Sequence, residues 1–373
     1  MKKIKVYIQY PWKFPDSPYY QYLIDNPPKD VEYLNVKNQK GVITSKRFFL
    51  FSNLLKKIIR NSLEIFYPSL INAHLSPKGN YDLIHCAHCL SKNQNKPWVV
   101  DIEYTGQLWA VGHKVKNEKS MKKIEKILGG ENCKKIITWT QLMKNDLIKD
   151  FPSLKDKVEV VYPPIPLPKV KKIKHSEINL FFVARYFYEK GGLHALEVID
   201  RIIRKEKNVS GIIVSEIPES IRRGYSKNKK ILFYPLMPQK ELFEKVYSKG
   251  DIFIYPGYTD SFGFAIPEVM GCGIPVVSVD TSTRNEIISS SKNGFLIKTN
   301  KTSEELEKIA NSRGDIESKR IMENIEKQTL NLIKNKRLLE KMSLNAKKEI
   351  LYGKFSVKKI NKQLKKIYED AIK

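Results

Sequence analysis

The chain has little cysteine, no long uninterrupted apolar run and fewer acids than bases, and each shortage narrows what it can be. Four cysteines in 373 residues, Cys86, Cys89, Cys133 and Cys272, are too few and too scattered to staple a protein of this length. A disulfide framework is excluded, and a reducing, cytoplasmic setting is expected. No window approaches the roughly 20 apolar residues of a membrane span. The best candidate, Phe262 to Val279, is interrupted by Pro267, Glu268 and Pro275, and the opening MKKIKVYIQYPW lacks the apolar stretch of a signal peptide. An integral membrane protein is therefore not expected. Acidic residues number 40 against 67 Lys and Arg, a formal charge of +27. The excess is even, +12 up to Ile165 and +15 over the remaining 208 residues, which marks a lysine-rich chain more than a single nucleic-acid groove.

What is there is globular and of α/β type. With 373 residues and 41% hydrophobic content, the chain exceeds the size of one ordinary core, so two domains are expected. Short β-like runs alternate with helical patterns, which argues for parallel α/β construction. Expected strands in the first half are Ile4 to Gln9, Leu83 to Cys86, Trp98 to Ile102, Lys135 to Thr138 and Val158 to Val161, with helices over Arg47 to Phe66, Lys116 to Leu128 and Gln141 to Asp150. Four prolines in YPPIPLP, Tyr162 to Pro168, can continue neither a helix nor a central strand, so the domain boundary is placed there. Residues 1–165, joined by a last helix over about 354–373, form the expected first domain, and 166–353 the second. A second strand series follows the boundary: Ile178 to Ala184, Gly211 to Ser215, Lys230 to Pro235, Asp251 to Pro256 and Pro275 to Val279. Helices are expected over Gly192 to Lys205, Gln239 to Ser248 and Pro267 to Met270. Two Rossmann-like domains facing across a cleft is the simplest architecture, with ligands beyond the carboxyl ends of the strands.

The chemistry concentrates in YPGYTDSFGFAIPEVMGCGIPVV, Tyr255 to Val277. A strand ends at Pro256, a polar turn follows, and a helix starts near Phe264. The backbone N–H groups of Ser261, Phe262, Gly263 and Phe264 would then lie at a helix N-terminus suited to a phosphate. Asp260 before the helix and Glu268 within it are placed to take paired hydroxyls of a sugar and a ribose. By spacing alone, helix capping by Asp260 beside a solvated Glu268 fits equally well. In FFVARYFYEKGG, Arg185 follows directly on a strand and Lys190 comes five residues later. Two cations at a strand exit suit a diphosphate, Arg as a fork and Lys as a point charge.

Together these segments resemble the GT-B-fold nucleotide-sugar glycosyltransferases, specifically the retaining family four, also called glycosyl transferases group 1. ARYFYEKG is similar to the family's G-R-x-x-x-E-K-G, and ILFYPLMPQKELFEKVYSKGDIFIYP to its helix preceding an apolar strand. TDSFGFAIPEVMGCGIPVVS resembles E-S-F-G-x-x-x-x-E-A-M-A-x-G-x-P-V-V, and RNEIISSSKNGFLI resembles the closing E-I-V and N-G-F-L-V. The resemblance implies that Arg185, Lys190 and the turn at Phe262 and Gly263 hold the diphosphate of a UDP-, GDP- or ADP-sugar. It gives Glu268 the ribose and Asp260 the donor sugar. Asp260 stands where the family has Glu, shorter in reach by about 1.5 Å. In the first half YDLIHCAH, KPWVVDIEYTGQL and CKKIITWTQLMKNDLIK resemble family strands, but a cleft-facing His that touches the donor sugar aligns with Glu103. The glycine-rich loop after the first strand has no counterpart in YPWKFPDSPYY. Retention and transfer of a hexose to a lipid, glycan or protein acceptor are implied, with no metal and no cofactor beyond the donor.

Three further segments carry alternatives. HCAHC, with His85, Cys86, His88 and Cys89, crowds four zinc-type ligands, yet side chains alternate along a strand, so packing with His88 near the cleft is preferred. Residues 45–66, SKRFFLFSNLLKKIIRNSLEIF, form a basic amphipathic pattern that fits either a packed domain helix or peripheral contact with an acidic membrane. The tail from Lys354 carries Phe355, Ile360, Leu364, Ile367 and Ala371 near helical spacing, and in GT-B folds the last helix returns to the N-terminal domain. The rival function is a polyanion- or DNA-binding protein, or a DNA-modifying one, on the same fold. The charge favours it and the Arg185, Lys190 and Glu268 set opposes it.

Overall fold

The computed structural model describes residues 3–11, 18–36, 70–76, 78–93, 95–110 and 117–373. The basic helix expected over 47–66, and with it the membrane contact of 45–66, lies outside the described residues. Two compact units are present: residues 1–164 with 357–373, and residues 165–356. Among the described residues no helix is long and apolar enough to cross a membrane.

The first unit is built on six parallel strands, β1 (Ile4–Gln9), β2 (Val31–Leu34), β3 (Leu83–Ala87), β4 (Trp98–Ile102), β5 (Cys133–Thr138) and β6 (Val158–Val160), in the order β2-β1-β3-β4-β5-β6. Central β3 and β4 are buried throughout, as parallel strands covered on both faces must be. The helix Tyr19–Asp25 and edge strand β2 were not foreseen; β2 is only four residues, too short for its alternation to stand out. The closing helix Val357–Ala371 buries Ile360, Leu364, Ile367, Tyr368 and Ala371. It is tied to this sheet by Tyr368, whose hydroxyl lies 3.1 Å from that of Tyr33 and 2.7 Å from His85 Nδ1. Phe355 belongs instead to the second unit, 5.9 Å from the Phe262 ring, and its carbonyl accepts from the Ile165 N–H at 3.0 Å. The second compact unit runs to Ser356, and the first resumes at Val357.

The second unit repeats the design with β7 (Ile178–Val183), β8 (Val209–Val214), β9 (Ile231–Tyr234), β10 (Ile252–Tyr255), β11 (Val276–Val279) and β12 (Gly294–Ile297), all parallel, in the order β9-β8-β7-β10-β11-β12. The order runs outward from β7 in one direction and from β10 in the other. Their shared edge is the switch point beyond which such sheets bind ligands. Phe181 stacks on Phe253 at 4.9 Å and Phe182 on Tyr255 at 6.0 Å, fixing these two strands to each other. Burial of each phenyl ring contributes about 1.5–3 kcal/mol. Helix Gly192–Lys205 covers them with Leu193, Leu196, Ile199 and Ile202.

One expected helix is different in kind. Gln239–Leu242 is a single α-turn, and Phe243–Tyr247 widens into a π-turn, with the Ser248 N–H reaching back to the Phe243 carbonyl at 3.0 Å. Val246 and Tyr247 in that turn are both buried.

Candidate active site

The site starts from two loops at the carboxyl ends of β7 and β10. After β7 the chain passes half-buried Arg185 and reaches Lys190, which precedes Gly191. Gly191 has φ of 72°, and a Cβ there would fall 2.5 Å from Pro256 Cβ. Only glycine allows this crossing of the loops, which is completed by the Gly257 N–H donating to the Lys190 carbonyl at 3.0 Å. The carbonyl bond is local, but its effect is to hold Lys190 over the turn after β10.

Asp260 lies at the centre of that turn. Lys190 Nζ donates to Oδ1 at 2.7 Å, while Oδ2 accepts from the Tyr255 hydroxyl at 2.8 Å and from Arg284 Nη2 at 2.5 Å. Lys190 Nζ also donates to the Thr259 carbonyl. Burial opposes ionisation of Asp260, but the charges of Arg284 and Lys190 outweigh it and hold the carboxyl below its ordinary value of 3.8. For Tyr255, burial first and the Asp260 charge second push the hydroxyl well above 10, so it stays a donor. Gly263 has φ of 82°, and a Cβ there would stand 3.0 Å from Arg284 Nη1 and 3.3 Å from Asp260 Oδ2. Lys190, Asp260 and Gly263 are thus brought together.

The other expected residues fall as follows. Ser261 and Phe264 lie half-buried in the same turn, whereas Phe262 is wholly buried, its ring 4.8 Å from that of Phe264. Phe262 can therefore offer a ligand only its backbone. The helix that follows, Ala265–Gly271, is seven residues long, so its dipole is small and the side-chain cations dominate. Glu268 is buried within it, with Gln239 Nε2 donating to Oε1 at 2.7 Å. Solvated Glu268 is thereby excluded. Asp260 is not a simple helix cap either: its carboxylate binds three side chains.

Glu103 belongs to the first unit. Its backbone N–H donates to Gln107 Oε1 at 2.9 Å, Gln107 Nε2 lies 3.4 Å from Oε2, and His88 Nε2 lies 3.9 Å away. Behind it, fully buried Asp101 accepts the His85 ring at 3.2 Å and the His88 backbone N–H at 3.2 Å, and it also binds the Tyr20 hydroxyl. Burial opposes ionisation of Asp101 too, but His88 and His85 keep its carboxyl below the ordinary range. The two histidines of HCAHC thus turn to one carboxylate, while Cys86 and Cys89 are buried and free. His88 takes φ of 55°, an unusual conformation for a non-glycine residue that the surrounding bonds enforce.

Sequence reasoning missed Arg284, Tyr255 and Asp101. Arg284 sits inside the quoted segment RNEIISSSKNGFLI but nothing local distinguishes it from a solvated helix cation. It is fully buried, and its Nε and Nη1 have no hydrogen-bond partner among the described residues.

Residues 166–328 match the family model described as Glycosyl transferases group 1. A probable sucrose-phosphate synthase of Thermosipho melanesiensis is 26% identical over 235 residues, 55% of this chain and 55% of that protein. A glycosyltransferase of Rickettsia africae superposes with a TM-score of 0.63 at 13% identity, covering 100% of this chain and 99% of the other. The Anabaena protein HepE, crystallised with UDP and glucose, superposes with a TM-score of 0.57 at 15% identity over 98% of this chain and 99% of its own. The chain covers only 25% to 58% of the length of the curated relatives that it matches. Residues 166–328 form a glycosyl transferases group 1 domain, within a chain whose fold is GT-B.

Proposed function

We propose that the protein is a glycosyltransferase that takes a hexose from a nucleoside diphosphate carrier, with UDP-sugars the first candidates, and passes it with retained configuration to a lipid, glycan or protein acceptor. The observation that carries this reading is the meeting of Lys190, Asp260 and Gly263 at the switch point of β7 and β10. Lys190 and Arg185 would neutralise the diphosphate as charge grows on the leaving oxygen, work that cations can do without a metal. Backbone groups of Ser261 to Phe264 would face its oxygens. Asp260 would accept hydroxyls of the donor sugar and Glu268 those of the ribose, sharing it with Gln239. Glu103 takes a sugar contact on its alignment alone. The first unit would then supply the acceptor side and the second the donor side. UDP is favoured because HepE, a structural neighbour, was crystallised with UDP and glucose.

The test is a panel of UDP-, GDP- and ADP-sugars, followed by release of the nucleoside diphosphate and by thermal shift. A ligand at 100 times its dissociation constant adds about 2.7 kcal/mol to stability. At least one donor is expected to stabilise the wild type, with the shift lost in Glu268→Ala and in Arg185→Ala. If none does, while duplex DNA binds with a preference that survives high salt, the polyanion reading replaces this one.

A further inference from the structure

An arginine that is wholly buried, as Arg284 is, needs a reason, because burying a guanidinium is costly unless it is paired and hydrogen-bonded. Its pairing is incomplete. Nη2 donates to the Gly257 carbonyl at 2.9 Å and to Asp260 Oδ2 at 2.5 Å, and the guanidinium lies 5.4 Å from the centre of the Tyr255 ring. Nε and Nη1 find no partner among the described residues. A group serving stability alone would be better replaced by a hydrophobic one.

The asymmetry of Asp260 supplies the reason. A carboxylate has about four acceptor positions, two on each oxygen. Oδ2 uses two of them on Arg284 and Tyr255, whereas Oδ1 is bound by Lys190. Arg284 reaches Asp260 from the helix Arg284–Ile287 beyond β11, and Tyr255 reaches it from β10 itself. The carboxylate is therefore clamped at one oxygen by two elements of the sheet, and the other oxygen is presented beside Lys190.

We propose that Arg284 is a positioning residue of the donor site: by clamping Oδ2 of Asp260 it directs Oδ1 toward the donor sugar. This rests on the reading of Asp260 as the sugar-binding carboxylate. Arg284 acts on the sugar through Asp260 and reaches Lys190 only through that same carboxylate, so its removal costs turnover far more than nucleotide binding.

The experiment compares wild type, Arg284→Met, Arg284→Lys, Tyr255→Phe, Asp260→Asn and the double variant Arg284→Met with Asp260→Asn. It reads kcat and KM with the active UDP-sugar and the dissociation constant of UDP alone. Arg284→Met is expected to lower kcat about 100-fold, the cost of a small misplacement, with UDP affinity falling far less. Arg284→Lys restores about tenfold of that loss through one charge-assisted bond. Tyr255→Phe, which deletes only a hydroxyl, keeps the fold testable if Arg284→Met does not fold, and lowers kcat about fivefold. The double variant is expected to be no slower than Asp260→Asn. Full activity of Arg284→Met, a fall in UDP affinity equal to the fall in kcat, or additive losses in the double variant would overturn the proposal while leaving the glycosyltransferase reading standing. A wild type that turns over no nucleotide sugar ends both.

Discussion

Replacing Lys190 by methionine removes one charge and keeps most of the side-chain volume, so its consequences for stability and for turnover can be worked out separately. In the folded chain Lys190 is paired with Asp260 at 2.7 Å, and the two side chains are 16% and 13% exposed. An unpaired buried carboxylate would be severely destabilising. Here Asp260 keeps Arg284 and Tyr255 after the change, so what is lost is the two bonds of the ammonium, to Asp260 and to the Thr259 carbonyl. Release from burying the ammonium offsets part of it, which leaves a cost of about 1–2 kcal/mol. The effect on chemistry should be larger, because a cation aimed at a departing diphosphate acts when the charge develops. Loss of one such preorganised contact slows turnover about 100- to 1,000-fold, or about 2.7–4 kcal/mol. Urea unfolding gives the first quantity, and release of nucleoside diphosphate from the active donor gives the second. A variant that is destabilised as described but turns over donor at the wild-type rate would refute the assignment of Lys190 to the diphosphate.

Three other outcomes follow from single features. Gly191→Ala places a Cβ 2.5 Å from Pro256 Cβ at φ of 72°, and equilibrium unfolding should show a loss of about 2–5 kcal/mol, adding the left-handed penalty to overpacking. His194 is buried, with Nε2 2.8 Å from the Ser312 carbonyl and Nδ1 bonded to the Tyr258 hydroxyl; burial lowers its pKa below the ordinary 6.5, only partly opposed by the Ser312 carbonyl. Its contribution to stability is therefore complete above pH 6.5 and is lost as pH falls below that, since the unfolded chain then binds the proton first. The urea midpoint of His194→Gln should fall less between pH 7 and pH 5 than that of the wild type. Gln239→Ala removes the 2.7 Å bond from Gln239 to the Glu268 carboxylate and should weaken UDP binding by about threefold to tenfold, the worth of one such bond, as measured by calorimetric titration.

The second sheet was legible because its strands are short, mainly apolar runs, the pattern that strands buried on both faces require. The loops that carry Arg185, Lys190 and Asp260 could be placed from the same runs, because each follows the end of one of these strands. Arg284 was not legible, because its partner Asp260 is 24 residues away in sequence and meets it only when β10 and β11 pair. The Asp101 cluster was hidden likewise. It depends on register, with Ala87 opposite Asp101 across β3 and β4, and on a closing helix that brings Tyr368 from the far end of the chain. The π-turn at Phe243–Tyr247 has no local signal in the sequence.

The central claim is that a nucleoside diphosphate binds where β7 and β10 part, gripped by cations rather than by the short helix alone. A crystal structure of the protein soaked with UDP tests it most directly. The account predicts diphosphate oxygens within about 3.2 Å of Lys190 Nζ and of the Arg185 guanidinium, with the ribose at Glu268. UDP bound elsewhere, or bound with Lys190 still turned wholly to Asp260 and Thr259, would contradict it.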